Sequence, residues 1–162
     1  MKLSDKLLKA LVEQANMEFA SGYLYRSMEA DMKRLGLVGY AHWLDKQYEE
    51  EREHALKLVN YIEERDGVVE FLPIAGVGKH FECPLEVAKA ALAHEEKVSA
   101  SIRNLFEMAR DEGDLETEVF LQWYITEQVE EESNARDNVA GFEAGKDCKS
   151  LCFMYDHALA SR

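Results

Sequence analysis

Apolar residues recur at every third or fourth position along most of the chain, so the pattern is helical nearly from end to end. Ser4 is placed to cap a first helix running from Asp5 to about Arg34 and ending at Gly36. A second run extends from Val38 to Arg65, with Gly67 just past its end. The period is then lost between Val68 and Cys83, a stretch holding Pro73, Gly76 and Gly78. Pro84 suits the first turn of a third helix reaching about Asp111. Asp114, after Gly113, caps a fourth that reaches about Gly145, and Lys149 to Leu159 forms a short fifth.

These lengths far exceed the average of ~11–12 residues, and matched long helices make a bundle. The second helix, roughly 28 residues, is about 42 Å long. The irregular stretch after it, roughly 17 residues, reaches up to ~55–60 Å when extended, enough to run back along the whole bundle. Short links at Gly36 and Gly113 make antiparallel hairpins. The expected fold is therefore all-α: two hairpins joined by a long crossover, with a short fifth helix at the C-terminus. One domain over residues 1–162 is expected, its bundle spanning about 4–145 and the fifth helix about 149–159.

Charge narrows the partners. The 162 residues carry a formal charge of −13, a field that repels nucleic acid and anionic membranes and concentrates cations. No apolar run approaches the roughly 18 residues that span a bilayer. Three cysteines (Cys83, Cys148, Cys152) have no C-x-x-C spacing, and the amphipathic start MKLSDKLLKALVEQ is unlike a signal peptide. Both point to reduced thiols in a cytoplasmic protein.

The candidate chemistry lies where the core should be. In the first helix Leu11, Ala15, Gly22 and Tyr25 share a seam with Glu18. In the second, Leu44, Gln47, Ala55, Leu58 and Ile62 share one with Glu51, and His54 lies beside it. Ala88, Leu92, Val98, Ile102 and Leu105 flank Glu95 in the third. Leu121, Tyr124, Ala135 and Phe142 frame Gln128 and Glu131 in the fourth. The helix midpoints fall near residues 19, 52, 98 and 130, so four carboxylates and one imidazole meet at one height, facing inward. Buried unpaired carboxylates must be neutralised by protons or cations, and lysine and arginine are scarce on these seams. Oxygen ligands with a single imidazole suit iron or manganese better than zinc, and four carboxylates suffice for two ions. A salt-bridged structural bundle is the competing reading. The spacing Glu51-Arg52-Glu53-His54 puts ligands at i and i+3 of one helical face, a weak signal alone and a strong one beside three further core acids.

With those residues identified, the chain resembles the non-haem bacterial ferritins over nearly its whole length. The likeness is carried by Asn16-Met17-Glu18, Leu24-Tyr25-Arg26-Ser27-Met28, Ala41-His42-Trp43, Glu50-Glu51-Arg52-Glu53-His54 and His94-Glu95-Glu96. It continues through Phe120-Leu121-Gln122-Trp123-Tyr124 and Glu127-Gln128-Val129-Glu130-Glu131-Glu132. The resemblance implies a ferritin-like bundle with a di-iron ferroxidase centre. Glu18, Glu51 and His54 would form the first iron site, and Glu51 would bridge to a second completed by Glu95 and Glu131. Gln128 would stand beside both, and Glu50, Glu127 and Glu130, with Glu131, would form a third iron site. Tyr25 and Trp123 match aromatic residues next to the centre; Tyr25 would hydrogen-bond a ligand, donate an electron or simply pack. The resemblance also implies Fe(II) oxidation by dioxygen or peroxide, and self-association into a 24-subunit cage storing ferric mineral.

Bacterioferritins and rubrerythrins have a second Glu-x-x-His on the fourth helix, where this chain has Gln128 and Glu131. Arg52 stands where a bacterioferritin would have its haem-ligating methionine, so no haem is expected. A di-iron oxidase or peroxidase that stores nothing is the alternative function. His42, His80 and His157 read as surface or packing residues, and His94 points about 100° away from Glu95. Met17, Met28 and Met32 read as packing. Cys148, Cys152 and His157 would line a shell opening only if the fifth helix packs around a symmetry axis.

Overall fold

The computed structural model describes residues 2–161. Helix α1 spans Asp5–Arg34, α2 Val38–Glu64, α3 Pro84–Glu112, α4 Leu115–Gly145 and α5 Lys149–Leu159. The expected boundaries differ from these by one residue at most. Ser4 accepts from the amide of Leu7 (3.0 Å) and Asp114 from that of Thr117 (3.0 Å), so both expected N-caps are made.

The C-terminal ends of α1, α2 and α3 close in the same way. The amides of Leu37, Gly67 and Asp114 reach back to the carbonyls of Met32 (2.9 Å), Ile62 (2.8 Å) and Ala109 (3.0 Å), the six-to-one bond of a Schellman motif. Gly36 and Gly113 take the left-handed conformation the motif needs, with φ of 77° and 68°. After α2 the left-handed residue is Asp66 (φ 57°), not Gly67. Gly67 is small for another reason: a Cβ there would lie 2.7 Å from Leu8 and 2.6 Å from Ile62.

α1 packs on α2 and α3 on α4 as the two hairpins, and α1 also contacts α3. The crossover runs the length of α1. Near its start, Asn16 donates to the carbonyl of Glu70 and accepts from the amide of Leu72. Near its end, Asp31 accepts from the amide of Phe81 (2.8 Å), and Arg34 donates to the carbonyl of Phe81 (3.0 Å). Asn16 and Asp31 are 15 residues apart on one helix, about 22 Å, so side chains near both ends of α1 fix an otherwise irregular crossover.

The core divides around the middle of the bundle. One apolar cluster holds Leu7, Leu11, Leu58, Ile62, Ile102 and Leu121; the other holds Met28, Met32, Tyr40, Trp43, Leu44 and Phe142. On α3 the seam passes through buried Ala91, leaving Leu92 half-buried at its edge. α5 docks on α2 and α4. Its buried Asp156 accepts from the amides of Gly39 (3.2 Å) and Tyr40 (2.7 Å), capping α2, whose own N-cap Leu37 makes no side-chain bond. A Cβ on Gly39 would sit 1.8 Å from the carbonyl oxygen of Asp156, so only glycine lets α5 approach there. Among the described residues no helix is long and apolar enough to cross a membrane.

Candidate metal centre

Between the two apolar clusters lies a polar layer. Glu18 (1% exposed), Glu51 (1%), Glu95 (0%), Glu131 (3%) and His54 (6%) are buried there, one or two from each long helix. Each acid sits on its helix's apolar seam, so packing the seams carries the carboxylates inside with them.

Neutral donors hold some of the oxygens and leave others open. Gln14 donates to Oε1 of Glu18 (2.8 Å), and Gln47 to Oε2 of Glu131 (2.8 Å). Tyr25 donates its hydroxyl to Oε1 of Glu95, whose Oε2 accepts from Nε2 of Gln128 (3.1 Å). Oε2 of Glu18 and Oε2 of Glu51 are buried without a hydrogen-bond partner. No lysine or arginine makes an ion pair with Glu18, Glu51 or Glu95 among the described residues. Nδ1 of His54 stands 3.5 Å from Oε2 of Glu51, so two under-bonded carboxylate oxygens and an imidazole nitrogen share one buried space, which suits a cation.

Electrostatics agree. Burial raises the carboxyl of Glu18 to about 7 against the lowering bond from Gln14, and raises those of Glu51 and Glu95 as well. For Glu51 the charges of Glu18 and Glu95 add to burial. Burial, and then the charge of Lys57, lower the imidazole of His54 to about 4, leaving a neutral ring with a lone pair to offer near neutral pH. The hydroxyl of Tyr124 donates to the backbone carbonyl of His54 (2.6 Å), and the Trp123 ring packs edge-on against the imidazole with centroids 5.3 Å apart.

Two trios place one ligand atom from each residue within 4.8 Å of the others: Glu18, Glu51 and His54, and His54, Glu127 and Glu131. The first is the trio that the Glu-x-x-His spacing put on α2 with one acid from α1. The second joins Glu131 to Glu127, two of the four acids expected at the third site, and adds His54 to them, while Glu95, the other acid expected beside Glu131, is in neither trio. Glu95 stays outside both trios because both its oxygens are turned onto donors. Glu50 is half-buried and Glu130 exposed, and neither belongs to a trio, although Glu130 lies close enough to help raise the carboxyl of half-buried Glu127.

A model of the ferritin-like domain matches residues 8–144. The bacterial non-heme ferritin of Staphylococcus aureus is 34% identical over 160 residues, covering 99% of this chain and 96% of that protein. The chain belongs to the non-haem ferritin family. The Staphylococcus epidermidis ferritin is 37% identical over 161 residues with the same coverage. Among solved structures, an open pore ferritin from the hyperthermophilic archaeon Archaeoglobus fulgidus superposes with a TM-score of 0.97 at 36% identity, covering 99% of both chains.

Several residues of this ferritin's centre carried no signal in the sequence. Gln14, Gln47 and Ser99 orient ligands or Gln128, but a glutamine or serine on an apolar seam has no spacing that announces such a role. His94 does not reach the acids. Its Nε2 lies 2.7 Å from the hydroxyl of Ser21, and its ring meets that of Tyr25 edge-on at 6.4 Å. His80 is exposed, yet its Nδ1 lies 3.0 Å from Asp31. Met28 and Met32 are buried packing residues. Cys83 and Cys148 are exposed, Cys152 is half-buried, and all three are free thiols.

Proposed function

We propose that this protein is an iron-storage ferritin that oxidises Fe(II) at a di-iron ferroxidase centre inside each subunit. The observation carrying the reading is the pair of buried carboxylate oxygens, on Glu18 and Glu51, left without partners beside a neutral imidazole. Glu18, Glu51 and His54 hold one Fe(II), while Glu51, shared with Glu95 and Glu131, holds the second. Glu127, with Glu50 and Glu130, forms a third site towards solvent. Iron is the substrate, and no haem takes part.

Binding displaces the protons that burial keeps on Glu18 and Glu51, and the carboxylates then offset the charge of the ions. Two Fe(II) ions supply the electron pair that reduces dioxygen to peroxide, or peroxide to water, and two protons are taken up in either case. Tyr25 and Gln128 hold Glu95 in place, and Gln14 and Gln47 do the same for Glu18 and Glu131. The ferric product is stored within a cytoplasmic shell of 24 subunits. Family membership and the likeness to an open pore ferritin support the cage.

The test is aerobic addition of Fe(II) to the purified protein, followed by particle size and iron content. A large particle holding far more than three irons per subunit is expected. A discrete monomer or dimer that turns over Fe(II) without retaining it would overturn storage in favour of a di-iron oxidase.

A further inference from the structure

We propose that the groove between α3 and α4 at Gln128 admits the oxidant to the centre, apart from the acidic mouth at His54 that admits Fe(II). The proposal rests on the ferroxidase reading and adds a route to it. Of the buried residues at the centre, His54 and Gln128 are the most exposed, at 6% each. They look out on different faces. His54 opens beside Glu127 on α4, its Nε2 3.8 Å from that carboxylate, with exposed Glu130 close by. Gln128 opens into a separate cavity of about 160 Å³ between α3 and α4. That volume accommodates several water-sized molecules.

The groove has the wrong charge for a cation and the right walls for a small neutral molecule. Arg103 and Arg136 stand at its exposed rim, while Ile125 and Val129 line its sides. The one acid in the lining, Glu132, is already bound to Arg136 (3.1 Å). The groove therefore carries a net positive charge on a chain of −13, and Fe(II) approaching it meets a guanidinium rim. Dioxygen and hydrogen peroxide carry no charge and meet no such barrier. At the floor, Nε2 of Gln128 donates both to Oε2 of Glu95 (3.1 Å) and to the hydroxyl of Ser99 (3.3 Å). One amide thus separates the groove from a carboxylate of the centre. A rival cavity of about 230 Å³ between α1 and α3 ends on Gln14, which is 2% exposed and already accepts from Ser101.

Val129 is 66% exposed and binds nothing at the centre, so Val129→Trp narrows the groove without touching a ligand. Protein loaded anaerobically with Fe(II) is mixed with dioxygen or with hydrogen peroxide in a stopped-flow cell. The second-order rate constant for the oxidant is expected to fall about tenfold, the low end of the roughly one to three decades over which association rates vary among mutants of one interface. The rate and stoichiometry of Co(II) binding, a readout without turnover, should stay at the wild-type values, as should particle size. Val129→Phe serves if the tryptophan variant does not assemble. Asn104→Trp, which fills the α1–α3 cavity, should leave the oxidant rate unchanged. An unchanged oxidant rate in both Val129 variants overturns the proposal, as does a slowed rate in Asn104→Trp. So does faster Co(II) loading in Arg103→Glu, because it would make the groove a cation path. If wild-type protein oxidises no Fe(II), it is the ferroxidase reading that fails.

Discussion

Two regions of this bundle bury charge, and they do so in opposite ways. At the end where α2 meets α4, the Arg65 guanidinium binds both oxygens of Asp114 (2.8 and 3.1 Å) and the hydroxyl of Tyr61 (2.6 Å), and Asp114 also caps α4. The bond from Arg65 holds the Asp114 carboxyl below its ordinary value against the opposing effect of burial. In the middle of the bundle, Glu18, Glu51 and Glu95 face one another with amide and phenol donors, and among the described residues none of the three has a lysine or arginine ion pair. There the carboxyls of Glu18, Glu51 and Glu95 are raised. The first region is complete as folded and stabilises the chain. The second is left short of positive charge, so it destabilises the metal-free chain and favours binding of cations. Stability and function are thus separated along one helix pair.

That contrast can be broken most severely at the centre itself. Replacing Glu51 and His54 together by alanine should reduce the initial rate of Fe(II) oxidation by about 100-fold or more, since removing even an outer partner of a metal ligand costs 10–100-fold. The same variant should fold as well as wild type, and retained fast oxidation would leave the salt-bridged structural reading standing. Asp114→Ala should do the reverse. Removing the carboxylate that pairs with Arg65, and with it the α4 cap, should lower unfolding free energy by about 3 kcal/mol in denaturant titration, with Fe(II) oxidation unchanged at a temperature where the variant is folded.

The pH dependence sharpens the comparison on a smaller scale. In the metal-free protein Glu18 keeps its proton up to about 7, whereas the unfolded chain releases it near the ordinary value of 4.5. The folded state therefore holds more protons across that interval, and this group lowers stability as pH rises through it. His54 acts oppositely, adding stability as pH climbs from about 4 to its ordinary 6.5. Glu18→Gln removes the first effect alone. Its gain over wild type should be near zero at pH 4.5 and reach the order of 1–3 kcal/mol at pH 8. Thermal midpoints measured on metal-free protein across that range check it; a gain independent of pH would assign the effect to packing. The smallest effect concerns the two proposed iron sites: in the proposed arrangement Glu18, Glu51 and His54 give the first an imidazole, and Glu51, Glu95 and Glu131 give the second none. Anaerobic titration should give two unequal Fe(II) affinities, and equal ones would remove the distinction.

The sequence made the helices legible because long apolar periods and their punctuation are local signals. Gly36 and Gly113 mark the ends they were expected to mark. The height of the acids was legible too, since helices of matched length align their midpoints whichever way they run. What could not be read was anything depending on how one helix is turned against another. Gln47 meets Glu131 across 84 residues and Asp156 caps α2 across 116 or more, and no spacing within either segment encodes those contacts. Gly67 shows the same limit: its position was recognised, but its reason lies with Leu8 on another helix. The pairing of Glu131 with His54 and Glu127 likewise follows from side-chain direction on α4, which sequence spacing only brackets.

Glu18, Glu51 and His54 all lie within the first 54 residues, on the α1–α2 hairpin, while Glu95 and Glu131 arrive with the second hairpin. The ribosome therefore releases all three residues of the first trio before any residue of α3 or α4. The desolvation that raises their carboxyls is imposed only when α3 and α4 close over them. A divalent ion bound to the trio would offset that penalty in the closed bundle, so metal binding and completion of the fold are coupled.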